Sequence, residues 1–257
     1  MKSFKVFLVA SVFLLFVVNV VRAQAPFDFN AVDVSSAYTE WNPEAPWILP
    51  EGFSQTLVSG EQDLNIYKQG RNDWNDMNTV NETGPMAGRY LYRTHEVRRE
   101  PKGGAVSVVD LQTGEAKVLA QNASWIAIDG IRWTPWKTLV IGEEKTGGRF
   151  FELFLNDDLM SVKHIAQHDA VGHMAHEGIE LDADGNVYVV DEWRGQSTGC
   201  HSGAIKPCGG GIYKYVPEQY GDLSAGKLYV LKVTGVDGAG QGQWAGPIDP
   251  QDVRKSG

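Results

Sequence analysis

Glutamate residues recur at a constant interval along this chain, and that interval constrains the fold more than any other feature. Glu96, Glu144 and Glu192 each end a strand-like segment, and successive members lie 48 residues apart. Asp129 and Glu177, each followed by Gly-Ile, are separated by the same 48 residues. Repeats of about 40–50 residues are typical of the four-stranded blades of β-propellers. We therefore expect the three glutamates at equivalent strand ends around one channel.

The region that begins at residue 53 is predicted to be all-β. Apolar and polar residues alternate in short segments from Ser54–Val58 to Lys227–Val233, with turns such as Asp182–Asn186 between them. Residues 53–257 hold about four units of the repeat length. The Gly/Pro-rich stretch 235–257 shows no closing strand pattern. The predicted fold is a β-propeller of about 48-residue blades, either a rare four-bladed one or, as we expect, one truncated at its C-terminus.

The first 23 residues have the pattern of a signal peptide. Lys2 and Lys5 precede the apolar run Val6–Val21, and Val21-Arg22-Ala23 supplies small or modest-sized residues at the usual cleavage positions. A single transmembrane anchor is the alternative, but the run is short for that role. Residues 24–52 form an extended lead-in rich in proline. These features predict a secreted or periplasmic protein with no membrane span in its mature part.

The charge balance and the cysteines narrow the choice of partners. The formal net charge of −9 argues against nucleic acid and against anionic lipid, and it suits cation binding. The two cysteines, Cys200 and Cys208, lie in one Gly-rich loop. In an exported chain a local disulfide is the expected state. A metal site formed with His201 is the alternative, although no fourth ligand is evident.

Acidic pairs at the repeated strand ends predict a calcium site. Adjacent carboxylates repel one another, and a divalent cation between them removes that repulsion. The candidate metal ligands are His95, Glu96, Glu143, Glu144, Glu177, Asp191 and Glu192. His176 and Glu177, at the start of a predicted channel-side strand, are the candidate catalytic residues. The alternative is a solvated polar rim that binds no metal.

Four segments resemble the PhoX-type alkaline phosphatase family of secreted bacterial β-propellers. They are Tyr90–Glu96, Trp133–Thr138 running into Glu143-Glu144, Gly172–Gly178 and Gly211–Pro217. The resemblance covers most of residues 78–257. It implies calcium and iron at the channel mouth and hydrolysis of phosphate monoesters.

Carried over to this chain, the resemblance makes Glu144 and Glu177 metal ligands, with Glu96 and Glu192 nearby. One position departs from the family pattern. The family has an iron-ligating cysteine directly before the Glu-Glu pair, and this chain has Gly142 there. The family's iron ligand, and the part of the phosphatase chemistry that depends on it, is therefore missing at this position. A weaker similarity, around residues 184–189, is to the gluconolactonase and paraoxonase-like propellers.

Three functions follow from these observations. The first is a calcium-binding propeller that acts as a metal-dependent phosphatase on a small-molecule phosphate ester. The second is a calcium-dependent lactonase or esterase, in which a metal polarises a carbonyl group and a carboxylate activates water. The third is a binding module without enzymatic activity, in which calcium has a structural role.

Overall fold

The computed structural model describes residue 42 and residues 45–66, 74–98, 101–193, 210–234 and 241–253. The chain divides into two units, residues 1–56 and 57–257. In the described part of the first unit, the Gln55 side chain accepts a hydrogen bond from the Trp47 amide at 3.1 Å and donates one to the Trp47 carbonyl at 2.8 Å. The predicted signal peptide and the Cys200–Cys208 disulfide lie outside the described residues.

The described residues of the second unit form three antiparallel sheets, which confirms the all-β prediction. Within each sheet the strands follow one another in chain order. The first sheet contains β1 Asn75–Val80, β2 Tyr90–His95, β3 Ala105–Asp110 and β4 Ala116–Gln121. The second contains β5 Ile128–Trp133, β6 Leu139–Glu143, β7 Phe150–Leu155 and β8 Val162–Gln167. The third contains β9 His176–Leu181, β10 Val187–Asp191, β11 Ile212–Gln219, β12 Asp222–Thr234 and β13 Gln241–Ile248.

Two short 3-10 turns, Glu61–Asp63 and Asp169–Val171, accompany the strands. Across the described ranges, no helix has the length and apolar character that crossing a membrane requires.

The turn after β9 shows how sequence sets the strand boundaries. Gly185 adopts a φ of 80°, and the Asp182 carboxylate accepts hydrogen bonds from the amides of Asp184 and Asn186 at 3.0 and 2.9 Å.

Strand β13 contradicts the prediction that no strand follows residue 235. Gln241–Ile248 pairs antiparallel with β12 from Gln241↔Thr234 to Ile248↔Leu228. The sequence does not predict this strand, because the alternation of apolar and polar side chains is broken by Gly242, Gly246 and Pro247. An outermost strand tolerates them, since one of its edges needs no ladder hydrogen bonds.

Apolar side chains hold the three sheets together in two layers. Between the first and second sheets, the rings of Tyr92 and Trp133 stack with centroids 5.9 Å apart inside a buried cluster. Between the second and third sheets, Phe150, Ile179 and Tyr215 belong to another buried cluster. As a result, β5 packs beside both β1 and β9. This packing brings the first strands of the three sheets together.

Candidate cation site where the three sheets meet

Carboxylates from all three sheets meet at one edge. In each sheet the first strand begins where the antiparallel second strand ends, so two positions per sheet reach the same edge. The residue after the second strand is a glutamate in every sheet: Glu96, Glu144 and Glu192. The second residue of the first strand is also acidic in every sheet: Asp76, Asp129 and Glu177. The equivalence inferred from the 48-residue spacing is therefore present in the structure.

The same backbone hydrogen bond holds the glutamate of each sheet. The amides of Glu96, Glu144 and Glu192 donate to the carbonyls of Trp74, Ala127 and Ala175 at 2.8, 2.7 and 2.9 Å, respectively. Each acceptor is the residue directly before the first strand of its sheet. The positions of the three carboxylates therefore follow from main-chain geometry that the repeat reproduces in every sheet.

Further backbone contacts link the sheets at this edge. The Ala127 amide of the second sheet donates to the Val97 carbonyl of the first at 3.0 Å. Glu144 forms an isolated antiparallel bridge with Ala175, which precedes the third sheet. Together with the three amide bonds, these contacts run continuously across all three sheets. They fix the spacing between carboxylates that belong to different sheets.

The carboxylates line a cleft of about 600 Å³. Its other lining residues are Trp74, Arg98, Lys145, Thr146, Ala175 and Trp193. Three partly buried carboxylates from two sheets, those of Glu144, Glu177 and Glu192, each place one oxygen within 4.8 Å of the others. Three oxygen ligands at such distances can hold one hard divalent cation with modest side-chain movement.

Crowding of the acids changes their titration. Asp129 is 1% exposed, and its Oδ1 has no hydrogen-bond partner among the described residues. Burial, followed by the neighbouring Glu177, raises the pKa of Asp129 to about 9. Burial and the carboxylates of Glu192 and Glu96 raise the pKa of Glu144 to about 8, although Arg98 opposes that rise. Ionisation of these two acids is therefore unfavourable in the crowded, cation-free cleft, and both hold their protons at pH 7.

Arg98 lines this cleft and makes direct contact with two of its acids. Its Nη2 contacts the carboxylates of both Glu96 and Glu144, and its Nη1 donates to the Glu144 carbonyl at 3.2 Å. The arginine side chain is 43% exposed, whereas those of Glu96 and Glu144 are 6% and 11% exposed. One guanidinium therefore joins acidic strand ends of the first and second sheets.

Three of the predicted metal ligands do not line the cleft. Glu143 is fully buried, and the Arg149 guanidinium donates to its two oxygens at 2.8 and 2.7 Å. Asp191 is buried and accepts a hydrogen bond from the Ala175 amide at 2.9 Å. The buried His95 ring has its Nε2 2.7 Å from the Ser107 hydroxyl. Within each adjacent acidic pair, successive side chains point in opposite directions, so only the second member reaches the cleft.

The two predicted catalytic residues have different surroundings. Glu177 lines the cleft. His176 is fully buried, its ring centroid is 5.6 Å from that of Phe150, and it does not line the cleft. Burial lowers the pKa of His176 to about 4, so the ring is neutral at pH 7. The structure therefore places Glu177 in the cleft and His176 outside it.

The residue before the acidic pair does not fit an iron site. A Cβ on Gly142 would lie 2.2 Å from Cβ and 2.8 Å from Cγ of His176. A cysteine at this position would need the His176 backbone to move. Calcium fits the residues better, because the cleft offers carboxylate oxygens and the buried, unpartnered Oδ1 of Asp129.

Sequence reasoning does not include Asp76, Asp129 or Arg98 in the site. Asp129 and Glu177 share the 48-residue interval, and that signal is sufficient to select Asp129. Asp76 lies outside the interval, because the connection between β1 and β2 is longer than that between β5 and β6. Arg98 carries no motif, and only the folded structure places it between two glutamates.

Comparisons with known proteins give little further information. No protein-family model matches the chain, and no curated protein matches it. Among solved structures, the chain is similar to the alpha-L-arabinanase of Cellvibrio cellulosa, with 15% identity, a TM-score of 0.31 and coverage of 65% of this chain and 76% of that one. The same enzyme complexed with arabinohexaose gives 15% identity, a TM-score of 0.28, and 62% and 74% coverage. The resemblance to the PhoX-type family stays a prediction.

Proposed function

We propose that this protein is an exported β-propeller-type domain that binds calcium at the edge where its three sheets meet. The observation that carries the proposal is the convergence of Glu144, Glu177 and Glu192 within 4.8 Å. Chain-ordered antiparallel sheets that pack side by side are what a propeller blade requires. Strand ends of successive blades then surround a common axis, where carboxylates from separate blades can share one ion.

The energetic argument favours a cation over a solvated rim. Two acids of the cleft, Asp129 and Glu144, have pKa values raised to about 9 and about 8, because charge on them is unfavourable in the cation-free protein. A divalent ion changes this balance, since it stabilises the ionised form of several carboxylates at once. Carboxylate ligands without sulfur or imidazole suit calcium better than zinc.

Thermal unfolding of residues 24–257 tests calcium binding directly. Calcium at a hundredfold excess over Kd should stabilise the fold by about 2.7 kcal/mol. For a domain of this size that corresponds to roughly 5–10 °C in Tm relative to chelator-treated protein. Glu177→Gln should remove most of this shift, whereas Glu115→Gln, on an exposed turn, should retain it. A wild-type Tm that is the same in calcium and in chelator would overturn the proposal.

Phosphate-ester hydrolysis is the activity that we propose for the calcium-bound cleft. The favouring observation is that Lys145 lines the same cleft as the acids, so a positive side chain is available to bind phosphoryl oxygens. Bound calcium would supply charge stabilisation for the transferred phosphoryl group. Glu177 lies where a carboxylate can position or deprotonate water, and the buried His176 has no part in this scheme.

Hydrolysis of p-nitrophenyl phosphate, with and without chelator, tests the activity separately from binding. We expect turnover that needs calcium, that falls at least a hundredfold in Glu177→Gln and that persists in Glu115→Gln. If calcium raises the Tm but no hydrolysis occurs in either condition, the domain is a binding module with structural calcium.

A further inference from the structure

Arg98 is placed where it competes with any cation for the acidic edge. Its guanidinium contacts the carboxylates of Glu96 and Glu144 together. Glu144 is also one of the three acids whose oxygens lie within 4.8 Å of one another. The same carboxylate therefore serves the arginine and the cluster. A cation that binds through Glu144 must either share this carboxylate with the guanidinium or displace it.

The environment of Arg98 makes displacement feasible. Its side chain is 43% exposed. The guanidinium can therefore leave the two carboxylates and be hydrated by solvent. Glu96 is 6% exposed and remains near the cluster when the arginine leaves. Displacement would thus free two carboxylates, one from the first sheet and one from the second, for an incoming ion.

We propose that Arg98 is an internal counter-cation that sets the affinity of the acidic edge for divalent ions. In the cation-free protein its guanidinium occupies the side chains of Glu96 and Glu144. When a divalent ion binds, Arg98 gives up these contacts and swings towards solvent. Its positive charge and its hold on Glu144 both oppose the ion, so binding is weaker and more selective for divalent charge than the acids alone would give. The inference rests on the proposed cation site and assigns that site a residue that controls it.

Removal of the guanidinium should destabilise the cation-free protein and strengthen its binding of calcium. Arg98→Gln should lower the Tm in chelator, because the acids lose their counter-charge. The same change should tighten calcium binding at least tenfold, because the competitor is absent. A merely structural arginine would lower both Tm values and leave the affinity unchanged or weaker. Arg98→Lys keeps the charge but cannot contact two carboxylates in the same forked manner, so its affinity should lie between those of the wild type and Arg98→Gln.

Isothermal titration of residues 24–257 with calcium chloride provides the test. Arg89→Gln is the matched control, because it removes an arginine that pairs with Asp110 at 2.6 Å and does not line the cleft. We expect tighter binding in Arg98→Gln, intermediate binding in Arg98→Lys and wild-type affinity in Arg89→Gln.

The outcomes separate this inference from the proposed function. Wild-type binding that Arg98→Gln leaves unchanged or weakens overturns the role of Arg98 and leaves the calcium site in place. Binding in Arg98→Gln but not in the wild type supports the inference in its strongest form. Absence of binding in both proteins overturns the calcium site and the inference together. If Arg98→Gln does not fold, an affinity of Arg98→Lys equal to or weaker than that of the wild type overturns the role of Arg98.

Discussion

Substitution of Gly142 by alanine should destabilise the domain strongly, because no space exists for one added carbon. The new Cβ would lie 2.2 Å from the His176 Cβ, whereas unstrained carbon atoms approach to roughly 3.5–4.0 Å. A rotamer change cannot relieve this overlap, since both atoms are fixed to the main chain. Strands β6 and β9 would have to separate by more than about 1 Å in a buried region.

The expected magnitude follows from the nature of the clash. Overpacking a core by one carbon costs about 1–3 kcal/mol, and a clash that only backbone movement can relieve belongs at the upper end. About 3 kcal/mol corresponds to a fall in Tm of roughly 6–12 °C for a domain of this size. Gly178→Ala is the matched control, because the nearest atom to its added Cβ is Val190 Cγ2 at 3.7 Å, an ordinary contact. We expect it to change Tm by no more than a few degrees.

Thermal and urea unfolding in chelator measure both variants without interference from bound ions. A double variant, Gly142→Ala with His176→Gly, should lose less stability than the sum of the two single changes, because it removes the opposing Cβ. If the Tm of Gly142→Ala equals that of Gly178→Ala, His176 does not occupy the space over Gly142. In that case a cysteine would also fit at residue 142, and the steric objection to an iron ligand at this position would fall.

Two further ion pairs give independent predictions. Arg149→Ala should cost about 3 kcal/mol in urea unfolding, because it leaves the fully buried Glu143 carboxylate without its guanidinium partner; a loss below about 1 kcal/mol would contradict this. The hydrogen-bonded Arg89 guanidinium holds the pKa of Asp110 well below its usual range, so this carboxylate stabilises the fold above about pH 4 and the contribution is lost as pH falls further. Asp110→Asn should therefore lower Tm at pH 6, and the difference from wild type should narrow below pH 4; a constant difference would refute the linkage.

The strands that the sequence predicts well are those rich in apolar and β-branched residues. The inner pair of the second sheet, β5 and β6, is of this kind and is almost completely buried. The turn Asp182–Asn186 follows from its Asp-Gly sequence. Strand β1 escapes prediction because its sequence, Asn75–Val80, is mostly polar, and only Thr79 in it is buried. The composition of Ser54–Val58 predicts a strand, yet this segment forms none. In both segments, tertiary surroundings outweigh local preference.

The sequence predicts which strand ends come together at the site, but it does not predict which side chains face the cleft. The 48-residue interval places Glu96, Glu144 and Glu192 at equivalent ends without any structural information. It cannot tell which member of each adjacent acidic pair faces the cleft, since a shift of one residue reverses the direction of a side chain. In the structure, Arg149 donates a hydrogen bond to Glu143, which points away from the cleft. Arg98 contacts Glu144, which faces the cleft.

The backbone contacts that join the three sheets at the acidic edge separate the chemistry of the edge from its architecture. Amides and carbonyls, not carboxylates, hold residues 96, 144 and 192 in place. The side chains at these three positions can therefore be exchanged for other metal-ligating side chains, such as histidine or asparagine, while the main chain keeps its positions. A fold built in this way can acquire, lose or retune a bound ion through single substitutions, and its core does not have to change with them.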